Sequence, residues 1–289
     1  MGRVRMCLCM RIVKSVAEMQ RVCRELRTRG SVLGFVPTMG ALHEGHLSLV
    51  RRARSECETV VVSIFVNPLQ FAPGEDLARY PRTFEEDRSQ LEAEEVEVLF
   101  APEVAEMYPD GSMTTVTVAG IGDRLDGASR PGHFTGVATV VAKLFHVVGP
   151  NRAYFGQKDA AQLAVLRQMV RDLHFDVELV GCAIVRDADG LALSSRNKYL
   201  TAEERKHALV LHEALLRMEQ IIAEGERQSN VVIRNGMTIL QAVPGVQVDY
   251  FAVVDANSLQ PVACVATGSL VAIAAYVGKT RLIDNFIAK

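Results

Sequence analysis

The sequence predicts an α/β protein in which a domain built on a parallel sheet is followed by a smaller α+β domain. Over the first two thirds of the chain, segments with helical apolar spacing alternate with short apolar or β-branched runs, which is the pattern of βαβ units. From Thr201 onward the pattern changes to helices followed by strand-like segments. A chain of 289 residues also suggests two domains, because a domain commonly holds about 100–200 residues. We expect the first domain over residues 1–185 and the second over residues 186–289.

The elements of the predicted first domain alternate along the chain. Apolar residues three and four positions apart indicate each helix, and a short apolar run bounded by turn residues indicates each strand. Helices between successive strands favour parallel pairing, since a crossover returns the chain to the same end of the sheet. We expect helices near residues 15–29, from about 45, and near 83–94, 134–147 and 159–174, and strands at 32–36, 59–66, 96–100, 153–155 and 177–180.

The predicted second domain begins with a long, charged amphipathic helix after Thr201. Before it, residues 186–198 contain the turn signal Asp189-Gly190 and form the expected hinge. The other elements expected in this domain are a helix near residues 231–242 and strands around 246–254 and 270–277.

Charge and hydropathy exclude several classes of partner. A formal net charge of −2 and a pI near 6.4 do not provide the broad cationic surface that neutralises nucleic-acid phosphates. No run of about 18 apolar residues is present, so we expect no membrane span. The first residues lack the full apolar region and the cleavage site of a secretory signal. We therefore expect a soluble cytoplasmic protein, and any phosphate site should be local.

The cysteines are expected to be reduced thiols. None belongs to a CxxC pair, and most lie far apart, whereas metal sites and disulfide frameworks usually show characteristic spacings. The residues concerned are Cys7, Cys9, Cys23, Cys57, Cys182 and Cys264.

The first predicted strand of the sheet leads into a segment rich in glycine and histidine, PTMGALHEGH at residues 37–46. Ligands of α/β sheets bind at the carboxyl ends of strands, beside helix N-termini that attract anions. Gly40 and Gly45 allow close approach of the backbone, and the rings of His43 and His46 can donate N–H bonds to phosphate oxygens. The segment therefore predicts a phosphate site, and two loop histidines without a chemical role are the alternative.

The spacing of the two histidines argues against zinc. A zinc-protease helix places its histidines four residues apart, so that both rings share one face. Here His43 and His46 are three residues apart and a glycine lies between them. The chain contains neither the glycine pattern of dinucleotide-binding folds nor a Walker P-loop.

Neutral amides follow the next predicted strand. Asn67 and Gln70 lie just past its apolar run, where amides can hydrogen-bond a small polar substrate without adding charge. Capping a turn is the alternative for both, and Asn67-Pro68 is itself a turn signal.

A second strand-to-helix junction contains a lysine. Gly156-Gln157-Lys158-Asp159 follows the fourth predicted strand, and Lys158 there supplies a point charge for phosphate. Gln162 lies four residues further on, which is the same side of the helix. A solvent-facing Lys158 and a purely capping Asp159 are the alternatives.

Two clusters carry weaker signals. The run SSRN at residues 194–197 combines hydroxyls with a guanidinium, which matches phosphate oxygens, and a helix cap is its alternative. The acidic run at residues 85–87 is expected to be a solvated face, because carboxylates are favoured in the first turn of any helix. Magnesium contact is the alternative there.

Six motifs, in order and spacing, closely resemble the pantothenate synthetase (pantoate–β-alanine ligase) family from about residue 37 to residue 200. This family belongs to the nucleotidyltransferases with a HIGH signature, so the resemblance implies a Rossmann-like first domain and a KMSKS-like loop at the start of the second. The motifs are PTMGALHEGH, FVNPLQF, YPRTFEED, RPGHFTGV, YFGQKDAAQL and DGLALSSRNKYL, with weaker likeness in VDYFAVVD and TRLIDN.

The resemblance implies an ATP-dependent ligase acting in the route to coenzyme A. Such an enzyme joins pantoate to β-alanine through an enzyme-bound pantoyl adenylate, and it releases AMP and pyrophosphate. The implied cofactors are ATP, as a substrate, and Mg²⁺. The implied assembly is a cytoplasmic homodimer.

Individual roles are also implied by the resemblance. His46 stands in the place of the proton donor with His43 beside it, and Lys158 and Arg196 share the pyrophosphate charge. Gln70 and Gln162 hold pantoate, Gln70 also borders the β-alanine site, and Asn67 is expected as a further substrate contact. The residues expected around ATP are Met39, Gly40, Ala41, Leu42, His43, Glu44, Gly45, His46, Gly156, Gln157, Lys158, Asp159, Val185, Leu193, Ser194, Ser195 and Arg196. The residues expected near magnesium are Glu86, Asp87 and Gln90.

The sequence departs from the family pattern at two of these positions. Leu193 stands where many relatives have methionine, a near-isosteric exchange. Gln157 stands where many have glutamate, which leaves the role of that side chain open.

Four rival functions make different demands on the sequence. Another adenylyltransferase with the HIGH signature would lack the contexts of Gln70 and Gln162. A tRNA-charging enzyme would need an anticodon-binding region, and a metal hydrolase would need zinc. A nucleotide-sensing module would bind ATP and release no pyrophosphate.

Overall fold

The computed structural model describes residues 10–289, and its main sheet has six parallel strands. In chain order they are β1 (Arg11–Val13), β2 (Leu33–Thr38), β3 (Thr59–Ile64), β4 (Val98–Phe100), β5 (Arg152–Gly156) and β6 (Glu178–Cys182). Their order in the sheet is β1-β4-β3-β2-β5-β6. The α/β class predicted from the sequence is confirmed.

Helices connect the strands, and their buried faces follow the apolar spacing of the sequence. The first of them buries Met19, Val22 and Cys23, which lie three and four positions apart. The helices are α1 (Val16–Thr28), α2 (Glu44–Glu56), α3 (Phe84–Ala93), the short α4 (Val104–Met107) and α5 (Asp126–Ser129), α6 (His133–Val148) and α7 (Ala160–Asp172).

The centre of the sheet defines where a ligand is expected. Strands β2 and β3 pair in register from Leu33 opposite Thr59 to Thr38 opposite Ile64, and β2 pairs with β5 on its other side. The chain builds β2, β3 and β4 outward in one direction and then returns to place β5 next to β2. The carboxyl ends of β2 and β5 therefore form the topological switch point, which is where open α/β sheets bind ligands.

A second, antiparallel sheet follows, made of β7 (Val246–Asp255), β8 (Ser269–Val277) and β9 (Thr280–Ile287) in that order. Helices α8 (Ala202–Ala223) and α9 (Ser229–Gln241) share a hydrophobic core with it, including Leu211, Val232 and Ile273. This confirms the smaller α+β part predicted for the C-terminal region.

The chain falls into two compact units. Within the described residues, the first comprises residues 10–117, 132–155 and 169–182, and the second comprises residues 118–131, 156–168 and 183–289. The domain boundary expected between residues 185 and 186 stays a prediction.

Two strands were not predicted. With three residues, β1 is too short to show a period, and it is recognised by its pairing with β4. Strand β9 contains Asp284 and Asn285, both of which are buried although polar. These two residues interrupt the apolar alternation that identifies a strand.

Four of the six cysteines lie within the described residues, as do the helices named above. Cys23, Cys57, Cys182 and Cys264 have free thiols, whereas Cys7 and Cys9 lie outside the described residues. Burial raises the pKa of the Cys23 thiol to about 12 and also raises the pKa of Cys57 and Cys182, which keeps these groups protonated at neutral pH. Among residues 10–289, no helix has the length and apolar character needed to cross a membrane.

The packing of α9 on the second sheet predicts the effect of a small substitution. A Cβ atom at the buried Gly236 would overlap the ring of Phe251. Gly236→Ala should therefore lower the free energy of unfolding by about 1–3 kcal/mol, the cost typical of overpacking. Helix propensity alone would raise it by about 1 kcal/mol. Chemical denaturation monitored by circular dichroism measures the difference.

The neighbouring exposed position supplies the control for Gly236→Ala. Asn235→Ala also replaces a weaker helix former by alanine, but residue 235 is exposed, and its Nδ2 donates to the Val231 carbonyl of the same helix. It should leave the stability unchanged or slightly higher. Equal stabilisation of both variants would show that Phe251 does not limit the space at residue 236.

Candidate active site

The backbone leaves β2 through a tight left-handed bend. Gly40 has a φ of +79° and Ala41 a φ of +49°, a region that residues with a Cβ rarely adopt. The Thr38 hydroxyl donates to the Ser63 carbonyl at 2.7 Å and accepts the Gly40 N–H at 3.2 Å. A Cβ atom on Gly40 would come within 3.0 Å of Oδ2 of Asp87. Glycine is thus required at residue 40 for both conformation and space.

Asp87, in the first turn of α3, holds the same bend from the side. Its Oδ2 accepts the N–H of Ala41 at 2.9 Å, and its Oδ1 accepts the N–H of Leu42 at 2.8 Å. The Thr83 hydroxyl adds a bond to Oδ1 at 3.2 Å. The Asp87 side chain is 1% exposed, and a buried carboxylate is stable only with such donors. The solvated face expected for the acidic run is therefore wrong at Asp87.

His43 and His46 stand at the beginning of α2. Nδ1 of His43 accepts the Gly45 N–H at 3.2 Å, and Nδ1 of His46 accepts the His43 N–H at 3.4 Å. The ring centroids are 4.0 Å apart. A neutral imidazole that accepts at Nδ1 has its proton at Nε2, so each ring is an N–H donor at Nε2. Together with the N–H groups and dipole of the helix N-terminus, this arrangement favours an anion.

Gln70 lies against Met39, which begins the bend. Its Nε2 donates to Sδ of Met39 at 2.9 Å, and its Oε1 accepts from Nδ2 of Asn67 at 3.1 Å. The Gln70 side chain is 9% exposed. The structure thus brings together three of the predicted site residues at the ends of β2 and β3: Met39, Asn67 and Gln70.

The side chain of Asn67 makes four hydrogen bonds within the protein. Besides Gln70, its Nδ2 donates to the Gly136 carbonyl at 3.1 Å, and its Oδ1 accepts from the Tyr108 hydroxyl at 2.8 Å and the Leu69 N–H at 3.3 Å. Asn67 is 1% exposed. Its amide therefore caps the 3₁₀ helix at Pro68–Gln70 and orients Gln70, which was the alternative left open by the sequence.

Helix α6 supports Gln70 through two residues that sequence analysis did not single out. Nδ1 of His133 lies 2.8 Å from the Gln70 carbonyl oxygen, and because a carbonyl can only accept, His133 carries a proton at Nδ1. One turn later, a Cβ at Gly136 would overlap the backbone of Leu69 and Gln70. Both residues belong to the motif RPGHFTGV, whose likeness to the family was the one available signal.

A pocket of about 520 Å³ opens beside the bend, between the ends of β3 and β4. Its lining combines apolar residues, among them Met39, Phe65 and Val104, with the charged side chains of Arg82 and Glu103. The rings of His43 and His46 and the amide of Gln70 do not line it.

In the second compact unit, Lys158 lies in a 3₁₀ helix, Gln157–Asp159, directly before α7. Its Nζ is 3.2 Å from Oδ1 of Asp159, and the lysine side chain is 20% exposed. The solvent-facing alternative for Lys158 is therefore wrong. Gln162 is half-buried in the first turn of α7.

The Gly156–Asp159 segment is tied to β9 by Asn285. Nδ2 of Asn285 donates to the carbonyl oxygens of Gln157 at 3.0 Å and Lys158 at 2.9 Å. Nε2 of Gln157 donates back to Oδ1 of Asn285 at 3.1 Å. The side chain of Gln157, whose role the sequence left open, thus contacts Asn285.

Val185 and Leu193 are brought together by a hairpin. The Leu193 N–H donates to the Val185 carbonyl at 3.0 Å, and Gly190 closes the turn with a φ of +93°. Arg186 forms a two-pronged ion pair with Asp284, at 2.6 and 2.9 Å. The turn predicted at Asp189-Gly190 is confirmed, and the expected hinge stays a prediction.

The SSRN run continues from this hairpin. Oγ of Ser194 accepts the Arg196 N–H at 3.2 Å and caps the 3₁₀ helix Ser195–Tyr199. Asn197 donates from Nδ2 to the Ala192 carbonyl at 3.0 Å. The helix cap considered from the sequence is therefore present. The cap occupies the Ser194 hydroxyl as an acceptor, so its proton can still be donated.

The donor set around Asp87 does not fit magnesium. Magnesium is usually bound by one or two carboxylates together with substrate phosphates, with near-octahedral geometry. Both oxygens of Asp87 already accept backbone N–H groups, Glu86 is exposed and Gln90 is half-buried. Within residues 10–289, no group of three or more His, Cys, Asp or Glu side chains is placed to hold a metal ion. The magnesium site expected at Asp87 and Gln90 is thus unsupported by this geometry.

Comparison with known proteins supplies the family. The family model described as pantoate-beta-alanine ligase matches residues 11–287. The pantothenate synthetase of Koribacter versatilis is 55% identical over 278 residues, with 96% of each chain covered. That of Acidobacterium capsulatum is 57% identical over 289 residues, covering 96% of this chain and 97% of the relative.

Solved structures agree with the sequence comparison. The pantothenate synthetase of Thermus thermophilus superimposes with a TM-score of 0.92 at 51% identity, covering 96% of this chain and 99% of that one. The pantoate-beta-alanine ligase of Francisella tularensis, complexed with beta-gamma ATP and beta-alanine, has a TM-score of 0.79 at 35% identity, with coverages of 96% and 98%. Because the match extends over nearly the whole of each chain, this protein belongs to the pantoate–β-alanine ligase family and is an enzyme of that family.

Proposed function

We propose that the enzyme joins pantoate to β-alanine with the use of ATP, through a pantoyl adenylate, with release of AMP and pyrophosphate. One observation carries the proposal: the paired rings of His43 and His46 at the N-terminus of α2, preceded by a bend that Asp87 fixes. This is a site built for an anion at the end of the central strand. The complex of the Francisella tularensis relative with an ATP compound and β-alanine supports the same assignment.

The chemistry requires activation of a carboxylate. A carboxylate is a poor acyl donor because oxide is a poor leaving group. In the first step, an oxygen of pantoate attacks the α-phosphorus of ATP, and the bond from that phosphorus to pyrophosphate breaks. In the second step, the neutral amine of β-alanine attacks the acyl carbon, the C–O bond to AMP breaks, and the amine loses a proton. The protein needs no covalent nucleophile for either step.

The side chains divide between positioning the reactants and neutralising charge. The neutral amides Gln70 and Gln162 suit pantoate, because an arginine clamped on the reacting carboxylate would lower its nucleophilicity. Asn67 acts through Gln70, whose Oε1 it holds. N–H donors and cations stabilise the negative charge on the departing pyrophosphate. Such electrostatic stabilisation is usually the largest source of rate enhancement. We assign this task to His43, His46, Lys158 and Arg196.

Backbone groups complete the proposed ATP site. Residues 39–46 offer the N–H groups at the start of α2, and Gly156–Asp159 offers a second junction of the same kind. The paired backbone of Val185 and Leu193, continued by Ser194 and Ser195, is assigned to the nucleotide as well.

The assembly and the cellular location are proposed from the family resemblance and from one exposed segment. We infer a homodimer in the cytoplasm, as the family resemblance implies. Residues 113–117, which belong to no helix or strand, read MTTVT and carry Met113 at 94% exposure. Such an exposed β-prone run suits a contact with a second copy. Sedimentation analysis tests this, and a monomer at micromolar concentration would contradict it.

The product of ATP tests the reaction class. Incubation with ATP, pantoate and β-alanine should give AMP and pyrophosphate in equal amounts with pantothenate. A kinase-like route through an acyl phosphate would give ADP instead. Chromatography of the nucleotides after complete turnover separates the two cases, and ADP as the main product would overturn the adenylate.

His46 is expected to stabilise the transferring phosphoryl group. His46→Ala should lower kcat by about 10² or more, the scale of a lost oxyanion-type donor. His146→Ala, at an exposed position of α6, is the matched control and should keep the parent rate. Parent turnover in a folded His46→Ala enzyme would remove His46 from the mechanism.

Lys158 should matter more as pyrophosphate departs than when ATP binds, because the negative charge grows in the transition state. Lys158→Ala should therefore lower the single-turnover rate of pantoyl adenylate formation at least about tenfold more than it weakens ATP binding. The measurement uses ATP and pantoate without β-alanine, together with direct ATP titration.

The exposed Lys206 on α8 supplies the control for Lys158, and Lys206→Ala should change neither quantity. A loss of ATP affinity that accounts for the whole rate defect would leave Lys158 as a uniform binding contact. Normal adenylate formation with slow transfer to β-alanine would remove it from the first step.

A further inference from the structure

The motif TRLIDN at residues 280–285 has no part in the chemistry proposed above, yet it buries two polar side chains. Asp284 and Asn285 lie on β9, an edge strand of its sheet, and each is 3% exposed. Polar side chains are kept in such surroundings when hydrogen bonds satisfy them. Here the partners are two segments assigned to ATP, so the pair acts on parts of the candidate site.

Asn285 is held in one orientation by its own bonds. Its Nδ2 donates to two carbonyl oxygens, of Gln157 and Lys158, and its Oδ1 accepts from Nε2 of Gln157. Its backbone N–H donates to Oδ1 of Asp284 at 2.8 Å. Reversing the amide would place Oδ1 against two carbonyls, which offer no donor. The orientation of the Asn285 side chain is therefore fixed by its partners.

The two carbonyls belong to the peptide units on either side of the Lys158 Cα atom. The Gln157 carbonyl is part of the peptide that precedes this atom, and the Lys158 carbonyl is part of the peptide that follows it. Peptide units are planar, so two fixed planes determine φ and ψ of the residue between them. They also determine the direction of its Cα–Cβ bond. One amide thus sets the direction in which the lysine side chain leaves the backbone.

Asp284 performs a related task next to it. Its carboxylate binds both guanidinium nitrogens of Arg186, and Arg186 also donates to the Gly190 carbonyl at 3.1 Å. The hairpin that pairs Val185 with Leu193 is thereby anchored to the same strand. Adjacent residues of β9 therefore hold both the lysine segment and the hairpin within the second unit.

We propose that Asn285, oriented by Gln157, is a positioning residue for the first half-reaction and acts through Lys158. This rests on the role proposed above for Lys158. The effect on catalysis comes from the direction of the ammonium group and not from any contact of Asn285 with substrate. Removing the amide should thus reduce the benefit of the lysine, and it should have little effect where the lysine is already absent.

A double-mutant cycle tests the proposal. The rate of pantoyl adenylate formation is measured in single turnover for the parent enzyme, Asn285→Ala, Lys158→Ala and the double variant. Asn285→Ala should lower the rate at least about tenfold in the parent and less than about twofold in the Lys158→Ala background, since coupled residues are non-additive. The dissociation constant of ATP, titrated separately, should change by less than about threefold.

A matched control lies on the same sheet. Asp255, at the end of β7, accepts two backbone N–H groups with Oδ1, those of Asn257 and Ser258. Asp255→Ala should lower the melting temperature and leave the rate of adenylate formation unchanged. A loss of rate in Asp255→Ala equal to that of Asn285→Ala would assign both effects to general destabilisation and would overturn the proposal.

The outcomes separate this proposal from the proposed function. A slow Lys158→Ala enzyme with a fully additive Asn285→Ala effect, or with none, would overturn the positioning role alone. Unchanged adenylate formation in Lys158→Ala would overturn the role of the lysine and the present proposal with it. If Asn285→Ala does not fold, Asn285→Asp enters the same cycle, because it keeps the volume and the acceptor for Gln157 and lacks the two donors. Failure of both variants to fold would make Asn285 a folding residue and contradict the proposal.

Discussion

The candidate site depends on one constraint of the backbone: after β2, two consecutive residues must stay in the left-handed region. Gly40 meets this requirement without a Cβ, whereas Ala41 carries a steric cost of the order of 1 kcal/mol or more. The carboxylate of Asp87 offsets it by accepting the N–H groups that the bend presents. The bend in turn sets where α2 begins, and with it the rings of His43 and His46. The last residue of the motif YPRTFEED thus determines the geometry of the motif PTMGALHEGH.

The sequence predicted the sheet, most of its helices and the junctions where chemistry is expected, because these are local patterns. Apolar spacing identified α1 and α6 within a few residues, and glycines and histidines marked the end of β2. The supporting contacts were not predictable in this way. Asn285 reaches residues 127 and 128 positions earlier, and His133 reaches a carbonyl 63 positions earlier. The spacing of residues along the sequence does not reveal such pairs, because residues so far apart meet only in the folded chain.

Several polar residues proved to act on other residues where the sequence suggested contact with a ligand. Asn67 uses both ends of its amide inside the protein, and Asp87 does the same with its carboxylate. For Asn67 the sequence had left turn capping open as an alternative, whereas the acidic run that contains Asp87 was expected to be a solvated face. Residue type and position at a strand end predict that a polar group is needed there. They do not distinguish a group that touches substrate from one that holds its neighbour, because both must be buried and hydrogen-bonded.

The bond between Gln157 and Asn285 has a consequence for how this chain can diverge. Gln157 donates to an oxygen of Asn285, so a glutamate in its place would bring a carboxylate against that oxygen with no proton between them. A glutamine-to-glutamate exchange at position 157 looks conservative in an alignment. Here it would remove a hydrogen bond to the Asn285 side chain on β9. A lineage carrying glutamate at this position must turn the side chain elsewhere or change its surroundings. The identity of residue 157 is thus constrained by a contact that takes no direct part in the proposed chemistry.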